Sequence, residues 1–254
     1  MGIFNATFIS GFGFGPLMGG ILADYFGMDA AFYTMGTFNL LAFLGVTLFL
    51  REVIKRKATV TRISYRGIMA SKVTRGIFSY QAGVSANRGI MTTFLPIFAS
   101  IYIGLSPALI GMVLTVVIIG NSLLQIPAGN LADKYNKRYL VILGCLGAAV
   151  TMLLVPQART LGTLLLFMAF GSIFDALAMP PALAMIVLEG RKYGMGVAAS
   201  ISYMGMGLGM GLAPILAGFV VDLIDVRSAF YVCSAALFLG AGFFGQFTRG
   251  SFRT

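Results

Sequence analysis

The chain alternates long apolar runs with short polar joints. The runs fall at 2–23, 29–50, 76–103, 107–132, 139–156, 161–187, 194–222 and 229–247. Each is long enough for a helix to cross a bilayer, which takes roughly 20 residues with allowance for tilt and interfacial turns. The runs at 2–23 and 194–222 are so rich in glycine that they would make poor helices in water. In lipid the backbone must satisfy its own hydrogen bonds, so a helix is still the prediction there. Most joints are short, as at Asp24 to Met28, Gly104 to Pro107 and Pro156 to Thr160. The pattern predicts an all-α polytopic membrane protein with eight crossings.

One joint is long, residues 51–75, and it carries Arg51, Lys55, Arg56, Lys57, Arg62, Arg66, Lys72 and Arg75. The other basic joints hold Lys134, Lys137 and Arg138, then Arg191 and Lys192, with Arg249 and Arg253 at the tail. Eight alternating crossings put all of these on one side, 15 of the 18 Lys and Arg residues. The opposite side receives Arg159 and Arg227 with Asp24, Asp29, Asp222 and Asp225. The positive-inside rule then places the long joint and both ends in the cytoplasm of a cell-membrane protein.

Composition narrows the class further. The chain is 58% hydrophobic and 10% charged, with a mean hydropathy of +0.92, against roughly 25% charged residues in soluble domains. The net charge of +10 is scattered over the joints and so reads as topology, not as a nucleic-acid-binding face. There is no His, and no metal cluster is expected. Cys145 and Cys233 lie in apolar runs and read as two buried free thiols. The glycines from Gly11 to Gly20 lack the Lys-Ser/Thr that a phosphate loop needs. No peptidase, kinase or nucleotide motif is present, so neither a catalytic residue nor a cofactor is expected. The first residues lack the basic start of a signal peptide.

A block occurs twice. Gly15-Pro16-x-x-Gly19-Gly20-x-x-x-Asp24 followed by Ala31-Phe32-Tyr33 returns as Ala213-Pro214-x-x-Ala217-Gly218-x-x-x-Asp222 followed by Ala229-Phe230-Tyr231, offset by 198 residues throughout. The copies span the first-to-second and the seventh-to-eighth runs, so the repeating unit is six helices. The expected organisation is 1–50 as the last two helices of one bundle, 51–75 as a basic linker, 76–248 as a six-helix bundle and 249–254 as a tail. On the same offset, a complete molecule would carry four more helices upstream, about 120 to 130 residues, and would run to about 380.

Three features resemble the major facilitator superfamily, and the resemblance covers essentially the whole chain. Gly2, Gly11, Gly15, Pro16, Gly19 and Gly20 match the spacing of the glycine-proline motif of the family's fifth helix, in the form typical of proton-coupled drug and solute efflux proteins. Gly11, Gly15 and Gly19 share a face that permits close packing, and Pro16 bends or weakens the helix. Gly129-Asn130-Leu131-Ala132-Asp133-Lys134-Tyr135-Asn136-Lys137-Arg138 resembles the family's cytoplasmic loop motif. There Asp133 is expected to accept charge-assisted hydrogen bonds as a gate latch, with Lys137 and Arg138 holding the cytoplasmic end. Asn136 replaces the usual Gly, and Asn tolerates a left-handed turn. Gly209, Ala213-Pro214 and Ala217-Gly218 form a degenerate second copy of the glycine motif, thickened by Gly205, Gly207 and Gly211 and expected to serve packing.

The resemblance implies helices five to twelve of a twelve-helix fold, with an incomplete N-terminal bundle and a complete C-terminal one. It implies secondary transport of a small-molecule substrate by alternating access in a lipid bilayer, most simply efflux coupled to protons. An importer of a metabolite or sugar fits the same fold. A different class also fits: a shortened, non-transporting membrane protein, or one that needs the missing helices in cis or in trans.

Charges inside the runs are costly and need a partner, water or a task. Arg88 and Asp175 sit about midway through their helices, and in the resembled fold these helices line the central cavity. The two are expected to approach one another or to meet substrate, with a locking pair between helices as the structural alternative. Asn121 and Gln125 are four residues apart and share a face, while Gln81 and Asn87 precede Arg88. All four are further candidates for the substrate or proton pathway. Pro96, Pro127 and Pro180-Pro181 are expected to bend their helices.

Overall fold

A computed structural model describes residues 2–49, 67 and 71–249, with the side chains of 2–10 and 12 outside the description. Most of the predicted 51–75 linker and all but Arg249 of the predicted tail therefore lie outside the described residues. The elements are α1 (Gly2–Phe26), α2 (Met28–Phe49), α3 (Lys72–Phe98), α4 (Pro107–Lys134), α5 (Lys137–Leu154), α6 (Leu161–Tyr193), α7 (Met195–Leu223) and α8 (Ser228–Phe247). Among the described residues there is no strand. The protein is an all-α polytopic membrane protein.

Among the described residues, six of these helices are both long and apolar enough to cross a bilayer. The other two, α1 and α3, have 25 and 27 residues. Lys72, Arg75, Gln81, Asn87 and Arg88 dilute α3.

The helix ends follow local chemistry. Helix α3 begins at Ser71, whose side chain accepts from the Thr74 N–H. Pro96 lies two residues before the end of α3, and the chain continues as a π-turn over Ala99–Ile103, the kind of irregularity expected where proline removes a helical donor. Gly104, in the left-handed region at φ 74°, closes that turn. Asn136 caps α5 at φ −64° and ψ 115°, its Oδ1 accepting from the Arg138 N–H at 3.0 Å. The left-handed turn that Asn136 would tolerate is not used; capping takes its place, a role that suits the short side-chain amide.

The chain divides into two compact units. The first holds α1, α2 and the start of α4, through Val116. In it α1 packs on the α4 N-terminus so closely that a Cβ on Gly20 would collide with the Pro107 carbonyl, and one on Gly111 with the Pro16 carbonyl. Asp24 of the repeated block caps α4, its Oδ2 accepting from the Ala108 N–H at 3.1 Å.

The second unit holds α3, the rest of α4 and α5 to α8. Its centre is α3, packed against α7 on one flank and α8 on another, while α5 joins α6 to α8. Backbone-to-backbone approach makes these contacts: a Cβ on Gly209 would strike the Ala82 carbonyl, and one on Gly83 would come within 3.0 Å of the Ala236 carbonyl. In lipid, where apolar burial between helices drives little, such close packing supplies the attraction. Aromatic rings fill the remainder. Phe98 meets Phe230 edge-on at 5.2 Å, and Tyr80 lies 6.2 Å from Phe244. Outward positions such as Leu123, Ile126, Phe219 and Leu239 are exposed and apolar, as a lipid-facing surface should be.

Candidate functional site

In the second unit, Ser172, Asp175 and Met179 lie on one face of α6, at spacings of three and four residues. At one end of this line, Gln125 Nε2 donates to Asn121 Oδ1 at 2.8 Å, and Asn121 Nδ2 donates to the Ser172 carbonyl at 3.3 Å. At the other end, the Arg88 guanidinium from α3 rests 3.9 Å from the Met179 sulfur. Half-buried Asp175 lies between them. It has no hydrogen-bond or ion-pair partner among the described residues, although it shares an electrostatic interaction with Arg88. Helices α3, α4 and α6 thus bring Arg88, Asp175, Asn121 and Gln125 to one region. Arg88 is exposed and able to meet water or a ligand.

Asn87 and Gln81 go elsewhere. Asn87 is buried, and its Oδ1 accepts from the Cys233 thiol of α8 at 2.9 Å. Gln81 packs beside Gly205 of α7, its Cβ 3.3 Å from where a Cβ on that glycine would stand. Adjacent residues on a helix point about 100° apart, so Asn87 enters the α3–α8 seam while Arg88 leaves it. Cys145 and Cys233 are both buried and free.

The glycine-motif residues divide as well. Gly20 makes the close contact to α4, and Pro16 receives Gly111, whereas a Cβ on Gly11, Gly15 or Gly19 would meet nothing described within 4 Å. Gly2 opens α1. On α7, Gly205 and Gly209 face α3, Pro214 packs on Gly89, and a Cβ on Gly218 would stand 4.0 Å from the Phe94 ring, while one on Gly207 or Gly211 would meet nothing described within 4 Å. In the loop motif, Arg138 Nη2 donates to the Gly245 carbonyl of α8 at 2.8 Å. Lys137 starts α5, and a Cβ on Gly129 would meet nothing described within 4 Å. Asp133 is exposed, with no hydrogen-bond or ion-pair partner among the described residues.

Sequence reading passed over Glu189. It is buried near the end of α6, and its Oε2 accepts from Ser71 at 2.6 Å and Thr74 at 3.3 Å, while Lys192 lies 3.5 Å from Oε1. The carboxylate faces the first turn of α3, where unpaired backbone N–H groups favour negative charge. The available signal was an acidic residue at the end of an apolar run, three positions before Lys192.

Residues 77–249 match the family model described as Major Facilitator Superfamily. The chain belongs to this superfamily. Among its relatives is the uncharacterized MFS-type transporter MJ1560 of Methanocaldococcus jannaschii, 25% identical over 91% of this chain and 61% of that protein. The uncharacterized MFS-type transporter YuxJ of Bacillus subtilis is 26% identical over 92% of this chain and 62% of its own length. The multidrug resistance protein MdtG of Klebsiella pneumoniae is 27% identical over 44% of this chain and 27% of its own. The chain thus spans about three fifths of the length of the first two superfamily relatives.

Proposed function

We propose that this superfamily member carries out secondary transport of a small solute across the cytoplasmic membrane, as proton-coupled efflux by alternating access. The observation that carries the reading is Asp175, a mid-helix carboxylate without a direct partner among the described residues, near the exposed Arg88. A charge at bilayer depth is costly, and an Asp that alternates between charged and neutral forms turns that cost into coupling. Arg88 assists as the neighbouring cation. Asn121 and Gln125 then offer amide groups to substrate at the other end of the α6 face. Part of the chain resembles a protein named for multidrug resistance, which supports efflux over uptake of a metabolite or sugar. In this reading the long basic joint and the C-terminus are cytoplasmic, and the Asp133–Arg138 loop and the α1 glycine face serve gating.

The protein in proteoliposomes tests this. An imposed pH gradient, with Hoechst 33342 as probe, is expected to drive dye movement that a protonophore abolishes. Movement independent of the gradient overturns proton coupling.

The shorter span relative to MJ1560 and YuxJ favours a second reading, in which transport needs helices supplied in cis or in trans. Dye movement that appears only when the protein is co-reconstituted with a complementary N-terminal bundle would select it.

A further inference from the structure

At the end of the second unit away from the Lys134–Arg138 and Arg191–Lys192 joints, a cavity of about 360 Å³ is lined by Pro156, Gln157, Arg159, Arg227 and Tyr231. Arg159 comes from the joint before α6 and Arg227 from the residue capping α8. These are the two basic residues that the chain's charge pattern leaves in the joints at this end. In a chain that otherwise keeps cations away from this side, both converge on one cavity.

Their surroundings leave both guanidiniums available. Arg227 is held 4.2 Å above the Tyr102 ring, a stacking that orients the charge without neutralising it. The neighbouring carboxylate, Asp225, is engaged elsewhere, accepting from the Ser228 N–H at 3.1 Å and the Tyr102 hydroxyl at 3.4 Å. Neither arginine has an ion-pair partner among the described residues, and no acidic residue lines the cavity. Two guanidinium forks and the Gln157 amide present donors without an acceptor carboxylate, the chemistry that suits phosphate oxygens. Tyr231 is half-exposed and supplies an aromatic wall beside them, in the position typical of the membrane–water interface.

The geometry points to a phosphate-binding site here, filled by the phosphate of an anionic phospholipid headgroup or by a free phosphate. It is separate from the Arg88 and Asp175 region and does not depend on what is transported.

Native mass spectrometry of the full chain in micelles, offered equal phosphatidylglycerol and phosphate-free monogalactosyldiacylglycerol, tests the lipid source. Thermal unfolding with inorganic phosphate against chloride of equal ionic strength tests the soluble one. Preferential retention of phosphatidylglycerol, or a rise in unfolding temperature with phosphate, is expected. R159Q and R227Q should each weaken the response by about tenfold, and R227K should retain most of it. Arg159 makes no side-chain hydrogen bond or ion pair among the described residues, so R159Q decides the question even where R227Q fails to fold. Equal retention of the two lipids with no phosphate shift, or R159Q responding like wild type, overturns the proposal.

Discussion

Replacing Glu189 by Ala should unlock α6 from the start of α3. Glu189 is only 4% exposed and receives two hydroxyl hydrogen bonds through one carboxylate oxygen, at 2.6 and 3.3 Å. Hydrogen bonds to a charged acceptor contribute roughly 1.5–3 kcal/mol each, and a buried hydroxyl left without a partner costs about 1–3 kcal/mol. The Thr74 hydroxyl would be left so, since Thr74 is 4% exposed. Lys192 is 67% exposed along its side chain, and its ion pair counts for little after solvent screening. The 3.3 Å bond is the weaker of the two, so the expected net loss is about 2–4 kcal/mol. Glu189→Gln keeps an acceptor oxygen and should lose about half of that, since neutral hydrogen bonds are about half as strong. Unfolding in mixed micelles titrated with sodium dodecyl sulfate measures both variants. Thr74→Val combined with Glu189→Ala completes a double-mutant cycle, and coupling above about 0.5 kcal/mol is expected for residues in contact. Additive effects, or a Glu189→Ala variant as stable as wild type, would show that Glu189 does not hold α6 to α3.

Gly209→Leu should prevent normal packing of α3 on α7 and reduce folded protein in the membrane severely, because its Cβ would strike the Ala82 carbonyl. Gly207→Leu, in open space on the same helix, should accumulate normally; equal yields by fluorescence-detected size exclusion would contradict the packing account. Cys145 and Cys233 are buried, so maleimide labelling of the folded protein should be slow and should reach both thiols only after unfolding. Asn87→Ala removes the acceptor of the Cys233 thiol and should lower stability by about 1 kcal/mol, the scale of bonds between membrane helices. If it instead alters substrate affinity at unchanged stability, Asn87 belongs to the pathway.

Helix positions were legible because the bilayer demands long apolar runs, and the joints carry glycine, proline and charge. The run at 161–187 continues in the structure to Tyr193, since Glu189 finds partners on α3 and the helix has no need to stop at the first charge. The residues that meet across helices were less legible. Spacing alone put Asn87 beside Arg88, but only rotation about the axis of α3 separates the seam with Cys233 from the exposed side. The same applies on α7, where Gly205 and Gly209 reach α3 while Gly207 and Gly211 do not. The Asn121 and Gln125 pair was visible from its four-residue spacing, and its bond to the Ser172 carbonyl required the third dimension. Asp24 stood out through its place in the repeated block, yet its task as the α4 cap depends on a residue 84 positions away.

The most direct measurement compares wild-type protein with Asp175→Asn in proteoliposomes under an imposed pH gradient, at matched abundance and orientation. Gradient-driven movement of Hoechst 33342 is expected of wild type and its loss is expected in Asp175→Asn, with the protein still folded. Gradient-driven movement by Asp175→Asn at the wild-type rate would contradict proton coupling through Asp175.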